Sequence, residues 1–184
     1  IVSKYQSLFS ELKVGKKTLK NRICLCATVT NFAQNNKITE PWRNFLLERA
    51  RGGAAMLVTE VIAVDPEAIA QASTITGFDP TNEAGFKQIA DDVHKEGAVI
   101  IGQLWHPGRQ QLWHPTKSPI GVSNLPDPYS GTVPHVMETE EVLRVAESYI
   151  NTAKRLSDCG FDGVELHGAH GYLIMQFLSP ASNN

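Results

Sequence analysis

Two imidazoles and a phenol stand close together near the end of the chain. In GVELHGAHGYLIMQF (163–177), His167 and His170 are three residues apart, and Tyr172 follows two positions later. The run before them reads as a buried strand, so all three groups sit at its C-terminal end. A neutral imidazole carries one N–H donor and one acceptor nitrogen, and a phenol with a pKa of about 10 keeps its proton at neutral pH. Such a trio can hold a metal, donate a proton to a reacting atom, or simply pack. Zinc would need a third protein ligand. Glu165, two residues before His167, faces the same side of a strand, but no wider ligand cluster accompanies it.

The elements that must position these groups alternate in period. RICLCATV (22–29), AAMLVTEV (54–61), AVIIGQL (98–104) and FDGVELH (161–167) read as four strands. EPWRNFLLERARGG (40–53) reads as a helix, with Trp42, Phe45, Leu46 and Ala50 at helical spacing and a glycine stop. TNEAGFKQIADDVHKEG (81–97) is an amphipathic helix with Phe86, Ile89, Ala90 and Val93 on one stripe and Gly97 as cap. TEEVLRVAESYINTAKRLSDCG (139–160) is a long helix. Its expected N-cap is Thr139, and Val142, Val145, Ala146, Tyr149, Ile150, Ala153 and Leu156 are expected to face inward. YLIMQFLSP (172–180) is a short helix stopped by Pro180. The order predicts an α/β fold, a parallel sheet covered by helices. No linker divides it, and the proline-rich connection 105–138 is expected to be a substrate or active-site loop.

A doubly wound nucleotide fold carries a glycine-rich turn after its first strand; CATVTNFAQNN here has no glycine. A TIM (β/α)8 barrel instead gathers its working residues at the C-terminal ends of the strands. The candidate strands end in Thr28, in Thr59 and Glu60, in Gln103, and in Glu165 and His167. A full barrel takes about 250 residues, so residues 1–184 with four βα units are expected to be its N-terminal half.

The chain is 42% hydrophobic with a net charge of −2, which allows a substantial core and argues against a nucleic-acid partner. No apolar run approaches the roughly 18 residues of a membrane span, and Ile1–Tyr5 does not resemble a secretory signal. Three cysteines, Cys24, Cys26 and Cys159, fit free thiols in a reducing compartment, and a cytoplasmic location is expected. Cys24 and Cys26 share a strand face and are expected to be buried.

The blocks LKNRI, ERARGGAAMLVTE, GQLWHPGRQ and FDGVELHGAHGYLIMQFLSPASNN resemble the Old Yellow Enzyme family of FMN-dependent oxidoreductases, which includes dienoyl-CoA reductases. The likeness runs from about residue 8 to the end. It implies an eight-stranded barrel with FMN at its C-terminal mouth and NADH or NADPH as reductant. Ala27 and Thr28 match positions whose backbone touches the flavin, Val61 a residue near its carbonyl edge, and Gln103 the glutamine on its pyrimidine. His167 and His170 match the pair that holds a substrate carbonyl, and Tyr172 matches the proton donor. Val29 departs from the pattern, because many relatives carry Cys or Thr there. Relatives also continue with an arginine-led segment and four more strands, and in some a cysteine cluster there carries iron and sulfur.

On that likeness the activity is reduction of a carbon–carbon double bond conjugated to a carbonyl, in an enone or in an enoyl or dienoyl thioester. Negative charge develops on the carbonyl oxygen, and one well-placed donor there is worth about 3 kcal/mol. His167 and His170 would supply two such donors, and Tyr172 would protonate the second alkene carbon. Three other readings remain at this level. The chain is a non-catalytic half-barrel or assembly module, it is a metal-dependent TIM-barrel hydrolase, or His167, His170, Tyr172 and Gln103 are ordinary packing. For His106 and Arg109 loop structure is favoured over catalysis, Trp105 and Trp113 are candidates for a pocket wall, and His114 and His135 are expected to face solvent. Two open sheet edges invite pairing with another chain, so a homo-oligomer is expected.

Overall fold

The computed structural model describes residues 2–111 and 118–183. A short 3-10 turn, Val2–Tyr5, precedes an antiparallel hairpin of β1 (Leu12–Val14) and β2 (Lys17–Leu19). There follow β3 (Cys24–Leu25), α1 (Glu40–Arg51), β4 (Met56–Ala63), β5 (Ile75–Thr76), α2 (Glu83–Lys95) and β6 (Val99–Trp105). The rest comprises β7 (Ile120–Gly121), β8 (His135–Val136), α3 (Thr139–Asp158), β9 (Gly163–Leu166) and α4 (Leu173–Leu178). Strands β3, β4, β6 and β9 lie side by side in that order and all run parallel, while β5 adds to the C-terminal end of β4. Four βα units in this order form one side of a (β/α)8 barrel.

The apolar runs of β4 and β6 follow from burial. Leu57, Ile62, Ile100 and Leu104 are fully enclosed and meet Trp42, Leu46 and Ala50 of α1, Phe86, Ile89, Ala90 and Val93 of α2, and Leu156 of α3. Phe86 and Phe161 meet edge to face with ring centroids 5.7 Å apart. Gly102 lets α3 seat closely, since a Cβ there would stand 2.5 Å from Leu156 Cδ1. Helix α1 starts where the Thr39 hydroxyl accepts the Trp42 N–H, with Pro41 in the first turn.

Several expectations from sequence need correction. The first strand spans two residues rather than eight, because the chain leaves the sheet after Leu25. Cys24 and Cys26 are exposed rather than buried, since β3 is an outer strand that ends at Leu25. Helix α3 begins at Thr139 with Glu138 as its cap, and the Glu138 N–H donates to the Glu141 carboxylate at 2.8 Å. Ala146 and Ile150 are exposed. The buried residues of α3 are Val145, Thr152 and Leu156, with Tyr149 and Ala153 partly buried against the core. Within the 105–138 connection, β7 and β8 pair in parallel. The outer strand β9 leaves Leu166 58% exposed. Among the described residues no helix is long and apolar enough to cross a membrane.

Candidate active site

A cavity of about 580 Å³ opens at the C-terminal ends of the parallel strands. Its wall contains Ala27, Thr28, Val61, Gln103, His167, His170 and Tyr172, so all seven residues singled out in the sequence share one space. The sheet register sets part of this wall. Val61 of β4, Gln103 of β6 and Glu165 of β9 are direct neighbours in one row across three strands.

Between Val58 and Val61 the β4–β6 register slips by one residue. The bulge turns both Glu60 and Val61 toward the cavity. The Thr59 hydroxyl meets the Gln103 N–H at 3.2 Å there. Glu60 is buried and accepts from the Thr30 hydroxyl at 2.5 Å and the Thr30 N–H at 3.4 Å. Burial pushes its carboxyl up, and the Thr30 bonds pull it partly back. The Thr28 hydroxyl donates to the Cys26 carbonyl. Both threonine protons flanking Val29 are therefore taken, and Val29 presents an apolar side chain to the cavity.

The histidine loop is shaped by two successive left-handed residues, His170 at φ 58° and Gly171 at φ 75°. Histidine is among the few non-glycine residues found there, and such strain collects at working sites. The turn gathers three rings edge to face. His167 lies 5.2 Å from His170 and 5.0 Å from Tyr172 between centroids, and Tyr172 lies 5.3 Å from Trp105. His167 Nδ1 accepts the Ala169 N–H at 3.4 Å, which assigns the ring proton to Nε2. That nitrogen lies 3.4 Å from His170 Nδ1, so His170 in turn keeps its proton on Nε2. Burial, then the neighbouring His170, holds His167 below its ordinary pKa despite Glu165, so it is neutral at pH 7. Burial, with a smaller contribution from Tyr129, raises Tyr172 and keeps the phenol protonated. Among the described residues its hydroxyl makes no hydrogen bond, and Tyr172 lines the cavity.

Gln176 of α4 looks like an ordinary helix residue in the sequence, but it fastens this loop. Its side chain is 1% exposed, donates to the carbonyls of Gly171 (2.7 Å) and Pro107 (3.2 Å), and accepts the Arg109 N–H (3.3 Å). Leu173 N–H donates to the His106 carbonyl at 3.1 Å. WHPGR thus serves as the clamp under the histidine loop. Arg109 reaches the Leu125 carbonyl with its guanidinium. His106 is buried, accepts the Gly108 N–H at Nδ1, and is driven down to about 4 by burial. Asp65, Glu67 and His106 offer ligand atoms within 4.8 Å of one another, but they are not part of the cavity wall. Arg144 already holds both carboxylates, at 2.6 and 2.9 Å. His135 is exposed and pairs with Glu141, while Trp113 and His114 lie outside the described residues.

Residues 7–184 match the family described as NADH:flavin oxidoreductase / NADH oxidase. The chain belongs to that family. It is 35% identical over 183 residues to an NADH oxidase of Thermoanaerobacter brockii, covering 97% of this chain and 28% of the relative. Its fold superposes on a 2-naphthoyl-CoA reductase bound to 2-naphthoyl-CoA with a TM-score of 0.91 at 28% identity, covering 98% of this chain and 30% of the other. It also superposes on morphinone reductase in complex with tetrahydroNAD with a TM-score of 0.85 at 28% identity, covering 97% and 53%. The chain therefore spans between about a quarter and a half of the length of these relatives, as part of an Old Yellow Enzyme-type barrel.

The residues present fit a flavin of this family. Among the described residues the N–H groups of Ala27, Thr28 and Val29 have no partner in the chain, and all three residues line the cavity. Trp105, also in the wall, has a buried indole N–H without a partner among those residues. The Gln103 carbonyl oxygen is uncommitted within the same set. A volume of this size lies in the ordinary range for cofactor and ligand pockets.

Proposed function

We propose that the protein is an FMN-dependent oxidoreductase that reduces an activated carbon–carbon double bond with electrons from NADH or NADPH. The substrate class is an enone or an enoyl or dienoyl thioester. The observation that carries the reading is the convergence of His167, His170 and Tyr172 on the same cavity as Ala27, Val61 and Gln103. Ala27, Thr28, Val61 and Gln103 would hold the cofactor, which when bound supplies the hydride. His167 and His170 are donors whose Nε2 protons would turn to a substrate carbonyl oxygen and stabilise the charge that develops there. Their own contact is long, 3.4 Å, and gives way readily to a better acceptor. Tyr172 holds the proton destined for the second carbon and is kept protonated by burial.

Three free cysteines support a cytoplasmic setting. The test is the full-length protein: bound FMN by absorbance, and NAD(P)H consumption dependent on an enone or dienoyl-CoA under anaerobic conditions. Flavin-free protein that cannot be reconstituted would overturn the reading. Iron and sulfide analysis of the same sample decides whether the cluster of the dienoyl-CoA reductase branch accompanies the barrel.

A further inference from the structure

The Val61–Gln103–Glu165 row contains a contact that the proposed chemistry leaves unused. Gln103 Nε2 donates to Glu165 Oε1 at 2.7 Å, side by side on neighbouring parallel strands. A primary amide can rotate by half a turn about its last bond and exchange its oxygen for its nitrogen. The two orientations present opposite donor and acceptor orders to the cavity. An ionised carboxylate has no donor, so Glu165 accepts only the nitrogen face. The reversed amide would lose a charge-assisted hydrogen bond and set two oxygens against each other.

We propose that Glu165 is a positioning residue that fixes the amide of Gln103 in the single orientation a pyrimidine-dione edge requires. With one N–H tied to Glu165, the amide keeps one oxygen acceptor and one N–H donor in fixed order. That order matches a ring N–H beside a ring carbonyl, the alternation along the pyrimidine edge of an isoalloxazine. The inference rests on the reading of this cavity as a flavin site. It adds that the affinity contributed by Gln103 depends on a residue of the next strand, which prepays the ordering of the amide before the ligand arrives.

The test is FMN affinity of the full-length protein, by fluorescence titration of the deflavinated form, in a double-mutant cycle of Gln103→Ala and Glu165→Ala with Glu165→Gln as the conservative variant. The expected result is about a tenfold weaker Kd in Q103A and three- to tenfold in E165A. The double variant should lie within twofold of Q103A, and E165Q, whose amide can meet either face of Gln103 and so no longer fixes one orientation, should bind about threefold more weakly than the unsubstituted protein. Urea unfolding of each apoprotein shows whether loss of fold contributes. Weakening in Q103A with none in E165A, or losses that multiply in the double variant, overturns the assignment alone. Unchanged affinity in Q103A removes the flavin role of Gln103 and the assignment with it.

Discussion

Replacing Gln176 by methionine tests how the histidine loop is held. The two side chains have similar volume, so the change removes hydrogen bonds and leaves packing largely intact. Gln176 makes three of them, at 2.7, 3.2 and 3.3 Å, to Gly171, Pro107 and Arg109. A typical net contribution is about 0.5–1.5 kcal/mol each, and two of the three are long. The sum is about 2–3 kcal/mol, and the orphaned backbone groups of a buried site bring the expected loss to about 2–4 kcal/mol. The Gly171 carbonyl stands between His170 and Tyr172, so both catalytic candidates lose their support. A displacement of about 1 Å at reacting groups slows chemistry on the order of a hundredfold. Urea unfolding measures the first effect, and stopped-flow reoxidation of the reduced full-length protein by an enone measures the second. FMN affinity stays within threefold, because Ala27, Val61 and Gln103 stand on other elements. Stability unchanged within about 0.5 kcal/mol refutes the argument, as does clear destabilisation with an unaltered reoxidation rate.

Two further expectations concern the scaffold. Burial holds His106 at about 4 in the folded chain against about 6.5 unfolded. The unfolded chain therefore takes up the proton first as pH falls, and roughly 3 kcal/mol of stability disappears between pH 6.5 and 4. His106→Asn, which can still accept the Gly108 N–H, flattens that part of the pH profile in urea unfolding, and an unchanged slope contradicts the assignment. Gly102→Val forces side-chain atoms onto Leu156, where even a Cβ comes within 2.5 Å of Cδ1. It is expected to cost about 1–3 kcal/mol by the same assay, and a neutral variant would show that α3 can move away freely.

The parts legible in the sequence are those where local pattern and tertiary need coincide. The stripes Trp42–Leu46–Ala50 and Phe86–Ile89–Ala90–Val93 became α1 and α2 because each buries one continuous face. The runs of β4 and β6 are mostly apolar because helices and neighbouring strands enclose Leu57, Ile62, Ile100 and Leu104. Parallel βα order then sends every strand end to one rim, which is why polar residues at successive ends met in one cavity. What escaped depends on distant partners. The stretch after Leu25 has the composition of a strand, yet it leaves the sheet and is fastened through Thr30 to Glu60 of β4. Gln176 carries no local signal, since two of its partners lie 67 and 69 residues away. The β1–β2 hairpin is largely exposed, and its strands of three residues are too short for a period of two to be read. Ile150 fits the apolar stripe of α3 but is exposed, and helix periodicity alone does not locate the sheet.

The central claim is that the imidazole pair of His167 and His170 polarises a carbonyl while the phenol of Tyr172 delivers the proton. Stopped-flow reoxidation of the reduced Tyr172→Phe full-length protein by an enone tests it most directly. The account predicts a rate lower by about 10²–10⁴, with FMN affinity and reduction by NAD(P)H unchanged. Reoxidation at the unsubstituted rate would contradict it.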